Sequence, residues 1–428
     1  MDRKVACGRR SGRIKIPASK SYAHRLLICS AFADNETTIS CDGMSKDIAA
    51  TIDCLRALGA GITVEDGKYI KVIPVSIDRT GGVAKKTDTE ERILHCGESG
   101  STLRFLIPVV GAVGVDAVFH MEGRLPERPL DAFKSELEKH GMKIVQDKEK
   151  LHCSGQLEAG TYTIPGNISS QFVSGLLFAL PLLKAESTLD ITGDIQSRRY
   201  IDMTEEILES MGAEFEGNES SYDIRPSVLR SKGDVTVESD WSNAAFFMCM
   251  GAMSDKGIEL SGMNPGSKQG DRAIVDILKG FGARIEIGSD VLTVKRGSLK
   301  GQVIDASEIP DLVPTICALA AVAEGKTEIV NAGRLRFKES DRLATTAGLI
   351  NDLGGNVSET AEGLIITGVG SLKGGTVDSA NDHRIAMAAA VAACGSSKDV
   401  TVKCAECVAK SYPAFWEDLE SLEVTDEQ

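Results

Sequence analysis

Apolar residues recur along this chain in two helical patterns. In the first they fall three and four apart with charges between them, as at Ile201, Thr204, Ile207, Leu208 and Met211. That spacing predicts an amphipathic helix over 200–211 with one buried stripe. In the second, small apolar residues fill whole turns with few charges, over 170–183, 241–253, 312–323 and 384–394. Helices of that kind are expected to be buried on every side. Short apolar runs such as 188–191 and 213–215 read as strands. The run 172–183 is too short to span a membrane and contains Pro181, so it predicts a core helix.

The amphipathic pattern repeats about every 70 residues. Each copy ends in a helix tail, a glycine and a strand: Leu58-Gly59-Ala60, His140-Gly141-Met142, Met211-Gly212-Ala213, Phe281-Gly282-Ala283 and Leu353-Gly354-Gly355. A worn sixth copy at 419–424 lacks the glycine. A polar turn opens the helix before each tail: Ser45-Lys46-Asp47, Glu127-Arg128-Pro129, Ser197-Arg198-Arg199-Tyr200, Gln269-Gly270-Asp271, 338–342 and Lys410-Ser411-Tyr412-Pro413. Free N–H groups and the helix dipole make such starts suited to anions, and the added Lys and Arg point to a strongly negative ligand. The turns at Lys46 and Gln269 offer no ligand residue of that kind.

Each copy reads as strand, helix, strand, helix and paired strands. With 428 residues, two domains are expected. Six copies divide into two similar α/β domains of three, with the first domain over 18–237 and the second over 1–17 plus 238–428. The polar stretch Ser231-Lys232-Gly233-Asp234 marks the neighbourhood of the crossing, and 8–17 can pair with strands of either domain.

Composition narrows the chemistry. The chain is 42% hydrophobic and 26% charged, as an ordinary globular protein is. A net charge of −14 argues against a nucleic-acid binder, so any positive charge must be concentrated locally. The 11 cysteines have no framework spacing and read as reduced thiols of a cytoplasmic protein. The one close pair, Cys404 and Cys407, has no second pair or nearby His to support redox work. Met1-Asp2-Arg3-Lys4 lacks an apolar signal core. No histidine or cysteine set has metal-ligand spacing, and no Gly-x-Ser-x-Gly elbow occurs.

Five segments carry candidate chemistry. Lys20, Ser21 and Arg25 lie at the start of an apolar helix, where they can hold a phosphate or merely cap and solubilise it. Gly97-Glu98-Ser99-Gly100-Ser101 is either an anion nest or a glycine-rich turn. Ser169, Ser170 and Gln171 supply neutral donors, one serine also suiting an N-cap. Arg124 and Arg128 flank a Pro-stiffened turn suited to carboxylate or phosphate, or are solvated surface charges. The densest set is Lys338, Glu339, Ser340, Asp341 and Arg342, with Asp311 upstream and 381–384 downstream. Adjacent carboxylates and cations can supply an acid, a base and charge stabilisation, or form a salt-bridged helix entry.

The ordered set resembles the 5-enolpyruvylshikimate-3-phosphate synthase (3-phosphoshikimate 1-carboxyvinyltransferase) family from Ser19 to Lys410. Its elements are Ser-Lys-Ser-x-x-x-Arg at 19–25, Gly-x-Ser-Gly-Ser at 97–101, Arg-x-x-Glu-Arg-Pro at 124–129, Ser-Ser-Gln at 169–171, Ser-x-x-Tyr at 197–200, Ile-Pro-Asp at 309–311, Lys-Glu-Ser-Asp-Arg at 338–342, Asp-His-Arg at 382–384 and Ala-Lys-Ser-Tyr-Pro at 409–413. The resemblance implies two domains of three βαβαββ copies each, like an inside-out α/β barrel, joined by a hinge and closing over the substrates. It implies transfer of the enolpyruvyl group of phosphoenolpyruvate to the 5-hydroxyl of shikimate 3-phosphate, with release of phosphate, by addition and elimination through a tetrahedral intermediate. The step belongs to the shikimate pathway, toward chorismate and aromatic amino acids. No metal or organic cofactor, nucleic acid or membrane is implied, and a cytoplasmic monomer is expected.

Matched residue by residue, the resemblance implies that Lys20, Ser21, Arg25, Ser169, Ser170, Gln171, Ser197, Tyr200, Asp311 and Lys338 contact shikimate 3-phosphate. Lys20, Gly100, Arg124, Gln171, Arg342, Arg384 and Lys410 would line the phosphoenolpyruvate pocket. Catalysis would fall to Lys20, to Asp311 as base or orienter at the 5-hydroxyl, and to Glu339 as proton donor to the methylene carbon. In the family Gly100 leaves room for the inhibitor glyphosate, which implies sensitivity here. Two positions depart: Arg334 and Glu98 stand where other members have Asn. The related UDP-N-acetylglucosamine enolpyruvyl transferases typically have Lys-Asn where this chain has Lys20-Ser21, and a cysteine in a loop that here, around Arg124, has none.

Overall fold

The computed structural model describes residues 1–78, 82–83, 91–288 and 290–425. They fold into two compact units: a central unit, Lys20–Val237, and a terminal unit made of Met1–Ser19 with Glu238–Gln428.

The central unit contains α1 (Lys20–Ala31), α2 (Lys46–Ala57), α3 (Gly100–Ala112), α4 (Asp131–Lys139), α5 (Ser170–Ala179) and α6 (Arg198–Ser210). Three four-stranded sheets share one plan: a leading strand pairs in parallel with its neighbour, which then joins an antiparallel hairpin. In the second copy Arg92–Gly97 leads beside Ala117–Met121, followed by Lys150–Ser154 and Lys143–Asp147. In the third copy Thr161–Pro165 leads beside Ser187–Thr192. The first copy has no leading strand of its own. Asp234–Thr236 fills that place beside Thr37–Ser40, after the chain has completed all three copies.

The terminal unit contains α7 (Trp241–Ala252), α8 (Ile274–Phe281), α9 (Val313–Ala320), α10 (Arg342–Asp352), α11 (His383–Cys394) and α12 (Phe415–Ser421). Its fourth copy borrows its leading strand too. Arg9–Lys15 pairs in parallel with Ile258–Ser261 and antiparallel with Glu423–Thr425, so the segment that the sequence leaves open belongs to this unit.

The two helix patterns separate cleanly. The small apolar helices α3, α5, α7, α9 and α11, with α1, are buried almost throughout. Small residues let them approach closely: a Cβ at Gly175 in α5 would stand 2.5 Å from the Arg104 carbonyl oxygen of α3. The periodic helices pack with one stripe inward, and α6 buries Ile201, Thr204, Ile207 and Leu208 as expected. All five repeat glycines sit at positive φ, where a Cβ is disfavoured. The worn copy passes from α12 to strand Glu423–Thr425 without one.

Boundaries shift where local chemistry intervenes. Helix 170–183 stops at Ala179 and tightens into a 3-10 turn at Leu180–Leu182, because Pro181 cannot donate to the helical ladder. The glycine-rich turn at 97–101 yields to helix at Gly100, since the Ser99 hydroxyl caps the Thr102 N–H. The strand expected at 213–215 begins only at Phe215.

The inner helices end alike. A backbone N–H just past each outer hairpin donates to a last-turn carbonyl: Val75 to Ala31 at 2.8 Å, Leu157 to Gly111 at 2.9 Å and Ser227 to Pro181 at 2.8 Å. Arg296 to Ser254 and Val369 to Ala321, both 2.8 Å, repeat this in the terminal unit. Otherwise orphaned carbonyls are thus satisfied at one end, which leaves the starts of these helices for polar work.

Candidate functional site

The sequence-selected residues gather at helix starts in both units. In the central unit Lys20 and Ser21 begin α1, Gly100 begins α3, and Ser170 and Gln171 begin α5 behind Ser169, whose hydroxyl caps the Gln171 N–H at 3.3 Å. Ser197 precedes α6 in the left-handed conformation, φ 57°, and Tyr200 lies one turn on.

These side chains hold one another. Arg104 of α3 donates to the Gln171 amide oxygen at 2.8 Å and to the Pro129 carbonyl at 3.3 Å, while the Gln171 amide nitrogen donates to Ser101 at 2.9 Å. Buried Arg25 donates to Thr204 at 2.9 Å and to the carbonyls of Ser21 at 2.8 Å and Tyr200 at 2.6 Å. Much of its fork therefore fixes the Ser197–Tyr200 turn against α1, and burial pushes its pKa down to about 10. His24 is buried, and burial with the Lys20 and Arg25 charges keeps its imidazole well below the usual range. It links through Thr51 (2.7 Å) and Thr102 (2.6 Å) to Ser99 (2.7 Å), tying α1, α2 and α3 together.

Lys20 is bonded to Asp47, in the first turn of α2, at 2.7 Å. Arg124 lies on a more open turn: its side chain is 43% exposed and it pairs with Glu127 at 3.4 Å. Arg128 instead is buried over Gly100, where a Cβ would stand 2.6 Å from its Nη1. The departing Glu98 carboxylate packs on Gly123, leaving no room for a Cβ there.

In the terminal unit one buried guanidinium organises the cluster. Arg342 begins α10 and is 1% exposed. It donates to Asp311 at 2.8 Å, to Glu339 at 2.6 Å and to Asp382 at 2.8 Å. The other Asp311 oxygen accepts from Arg384 at 2.8 Å, and Lys338 Nζ is 3.8 Å from Asp311. Asp382 caps α11 by accepting the Arg384 N–H at 2.9 Å and also accepts from Ser340 at 3.0 Å. Lys410 donates to the Asn381 carbonyl at 2.6 Å. Arg334 donates to the Ser307 carbonyl.

The electrostatics follow from burial and pairing. Burial alone would raise the Asp311 carboxyl, but Arg384, Lys338 and Arg342 outweigh it and hold it well below the usual carboxylate range. Burial likewise works against Asp382, and Arg342 and His383 keep it low. Burial pulls Lys338 down to about 8, Asp311 only partly compensating. Asp271, beside α8, is pushed up to about 7 by burial and then by the negative charge of Asp311.

The turns at Lys46 and Gln269, where the sequence offers no ligand residue, contribute to these clusters in another way. Each brings a carboxylate into a polar cluster, Asp47 to Lys20 and Asp271 toward Asp311 and Arg384. The signal for both was the repeat itself, since equivalent turns elsewhere carry ligand candidates. The pair at 404–407 departs from a redox motif: Cys407 is buried, and burial raises its thiol to about 11. Among the described residues no helix is long and apolar enough to cross a membrane.

The family model for EPSP synthase (3-phosphoshikimate 1-carboxyvinyltransferase) matches residues 6–419. Proteins named 3-phosphoshikimate 1-carboxyvinyltransferase from Clostridium kluyveri and Clostridium acetobutylicum are each 42% identical, over 96% of this chain and 95% of their own. An EPSP synthase structure from Acinetobacter baumannii superposes with a TM-score of 0.76 at 26% identity, covering 99% of this chain and 100% of that one. The enolpyruvyl transferase NikO of Streptomyces tendae shares the fold, with a TM-score of 0.74 at 18% identity and 99% of each chain covered.

Proposed function

The chain belongs to the EPSP synthase (3-phosphoshikimate 1-carboxyvinyltransferase) family, and from that premise we propose that it transfers the enolpyruvyl group of phosphoenolpyruvate to the 5-hydroxyl of shikimate 3-phosphate, releasing phosphate in the shikimate pathway. The observation that carries the mechanism is the sharing of Arg342 between Asp311 and Glu339.

In this assignment Lys20, Ser21, Arg25, Ser169, Ser170, Gln171, Ser197 and Tyr200 of the central unit bind shikimate 3-phosphate, as do Asp311 and Lys338 of the terminal unit. Phosphoenolpyruvate is bound by Lys20, Gly100, Arg124, Gln171, Arg342, Arg384 and Lys410. Arg25 acts partly by holding the Ser197–Tyr200 turn, given where its bonds go.

The reaction forms a bond from the 5-oxygen to C2 of phosphoenolpyruvate while the methylene carbon gains a proton. The C2–O(phosphate) bond then breaks as the new methyl group loses a proton. Asp311 serves the 5-hydroxyl and Glu339 the methylene carbon. A carboxylate held this low by three cations is a weak base, and Glu339 is engaged by the same guanidinium. An arriving anion that takes hydrogen bonds from Arg342 and Arg384 loosens both pairs and raises the proton affinity of both carboxyls. The substrate thereby switches on the groups that process it. We assign the protein to the cytoplasm as a monomer.

The assay is phosphate release from phosphoenolpyruvate with each acceptor in turn. Release with shikimate 3-phosphate and none with UDP-N-acetylglucosamine is expected. The reverse pattern overturns the assignment in favour of the related transferase.

A further inference from the structure

Four buried side chains of the central unit stand in one file: His24 Nδ1 is 2.7 Å from Thr51 Oγ1, which is 2.6 Å from Thr102 Oγ1, which is 2.7 Å from Ser99 Oγ. None is more than 1% exposed. A hydroxyl has a single proton to give, so the direction of one bond settles the others. Thr102 donates to Ser99. Its proton is thereby spent, and the proton between Thr51 and Thr102 comes from Thr51. Thr51 in turn accepts from His24, so the imidazole carries its proton on Nδ1. The other ring nitrogen agrees: Nε2 is buried without a hydrogen-bond partner, where a bare lone pair is tolerated more readily than an orphaned N–H. Burial and the neighbouring Lys20 and Arg25 charges keep the ring neutral.

At Ser99 the file ends with a proton left over. Ser99 Oγ accepts from Thr102 twice, from Oγ1 and from the backbone N–H at 3.3 Å, which fills both lone pairs. Its own proton meets no acceptor among the described residues. A buried donor left unspent is costly. Ser99 is also the N-cap of α3, a helix of 13 residues whose positive end lies at Gly100. An anion at that end takes the proton that the protein does not. Resting on the assignment of Gly100 to the phosphoenolpyruvate pocket, we propose that the Ser99 hydroxyl donates to phosphoenolpyruvate and that His24 is the positioning residue that directs the file of protons toward it.

Two measurements on the full chain test this. Long-range nitrogen NMR of labelled histidine in the wild type should show His24 as a neutral ring protonated on Nδ1. A proton on Nε2 overturns the file, whatever the enzyme turns over and whether or not any variant folds. Steady-state kinetics read the other end. Glycine caps a helix nearly as well as serine, so Ser99→Gly removes the hydroxyl with little change in melting temperature. It should raise KM for phosphoenolpyruvate about tenfold, the worth of a hydrogen bond to a charged group, and leave KM for shikimate 3-phosphate in place. Ser99→Thr should restore the wild-type value. His24→Leu should give part of the same selective rise, and His24→Asn, whose side-chain N–H replaces the one on Nδ1, should reverse it. In a wild type that turns over, an unchanged KM for phosphoenolpyruvate in Ser99→Gly, or an equal rise for both substrates, overturns the proposal and leaves the assigned reaction standing. A wild type that releases no phosphate overturns the assigned reaction, and the proposal with it.

Discussion

A guanidinium buried as deeply as Arg342 must find its partners inside the protein, and it finds three carboxylates. Two of those are the groups assigned to proton transfer, so their strength depends on what else claims the guanidinium. Lys338 shows the same dependence from the cationic side. Burial lowers it to about 8, so it is charged below that pH and loses its charge above it. Affinity of the free enzyme for shikimate 3-phosphate is therefore expected to fall as pH rises through about 8. Binding isotherms across pH check this, and Lys338→Arg should move the break out of range. A wild type with flat affinity to pH 9.5, roughly, contradicts that role. At Gly100 the constraint is steric, because a methyl group would displace the Arg128 guanidinium. Gly100→Ala should raise KM for phosphoenolpyruvate about tenfold, because Gly100 is assigned to that pocket and overpacking by a methyl group costs about 1–3 kcal/mol. Its inhibition by glyphosate should weaken as well, and unchanged inhibition in a steady-state assay refutes the link to this glycine. The residue types were legible in the sequence, since Lys338, Glu339 and Arg342 stand together there. The bonding was not: that Asp382 rather than His383 meets Arg342, or that Asp47 meets Lys20, depends on helices far apart in the chain.

At the scale of elements, helix starts do the positioning. Asp382 is fully buried, caps α11 and binds Arg342 across from α10. It joins the rigidity of a helix to the orientation of the central cation. Asp382→Asn keeps a capping oxygen but removes the charge, so a loss of about 1–3 kcal/mol is expected. Asp382→Ala removes both and leaves part of a buried pair behind, costing about 3–5 kcal/mol. Urea denaturation with a common slope measures each, and equal stability of the two variants contradicts the dual role. The helices themselves were readable from periodicity: α6 and the inner helices lie where the apolar pattern places them. The leading strand of the first copy was not, because Asp234–Thr236 is only three residues long and pairs with a segment nearly two hundred residues earlier. Short strands carry little pattern, and their partners are set by tertiary context.

For the whole molecule the repeat explains both what is shared and what differs. Six copies give helix starts of one kind, yet the turns at Asp47 and Asp271 each place one carboxylate beside protein cations or acids rather than ligands in the present assignment. A chain of net charge −14 thus concentrates its cations where they are needed and surrounds them with carboxylates that hold them in place. The proposed function requires that Asp311 and Glu339 do chemistry as well as hold cations. Phosphate release from phosphoenolpyruvate in the wild type and in Glu339→Ala, each with and without shikimate 3-phosphate, tests this most directly. The wild type should release phosphate only when both substrates are present, and Glu339→Ala should be slower by about a hundredfold or more while still binding both. No release from the wild type, or release by Glu339→Ala at the wild-type rate, would contradict it.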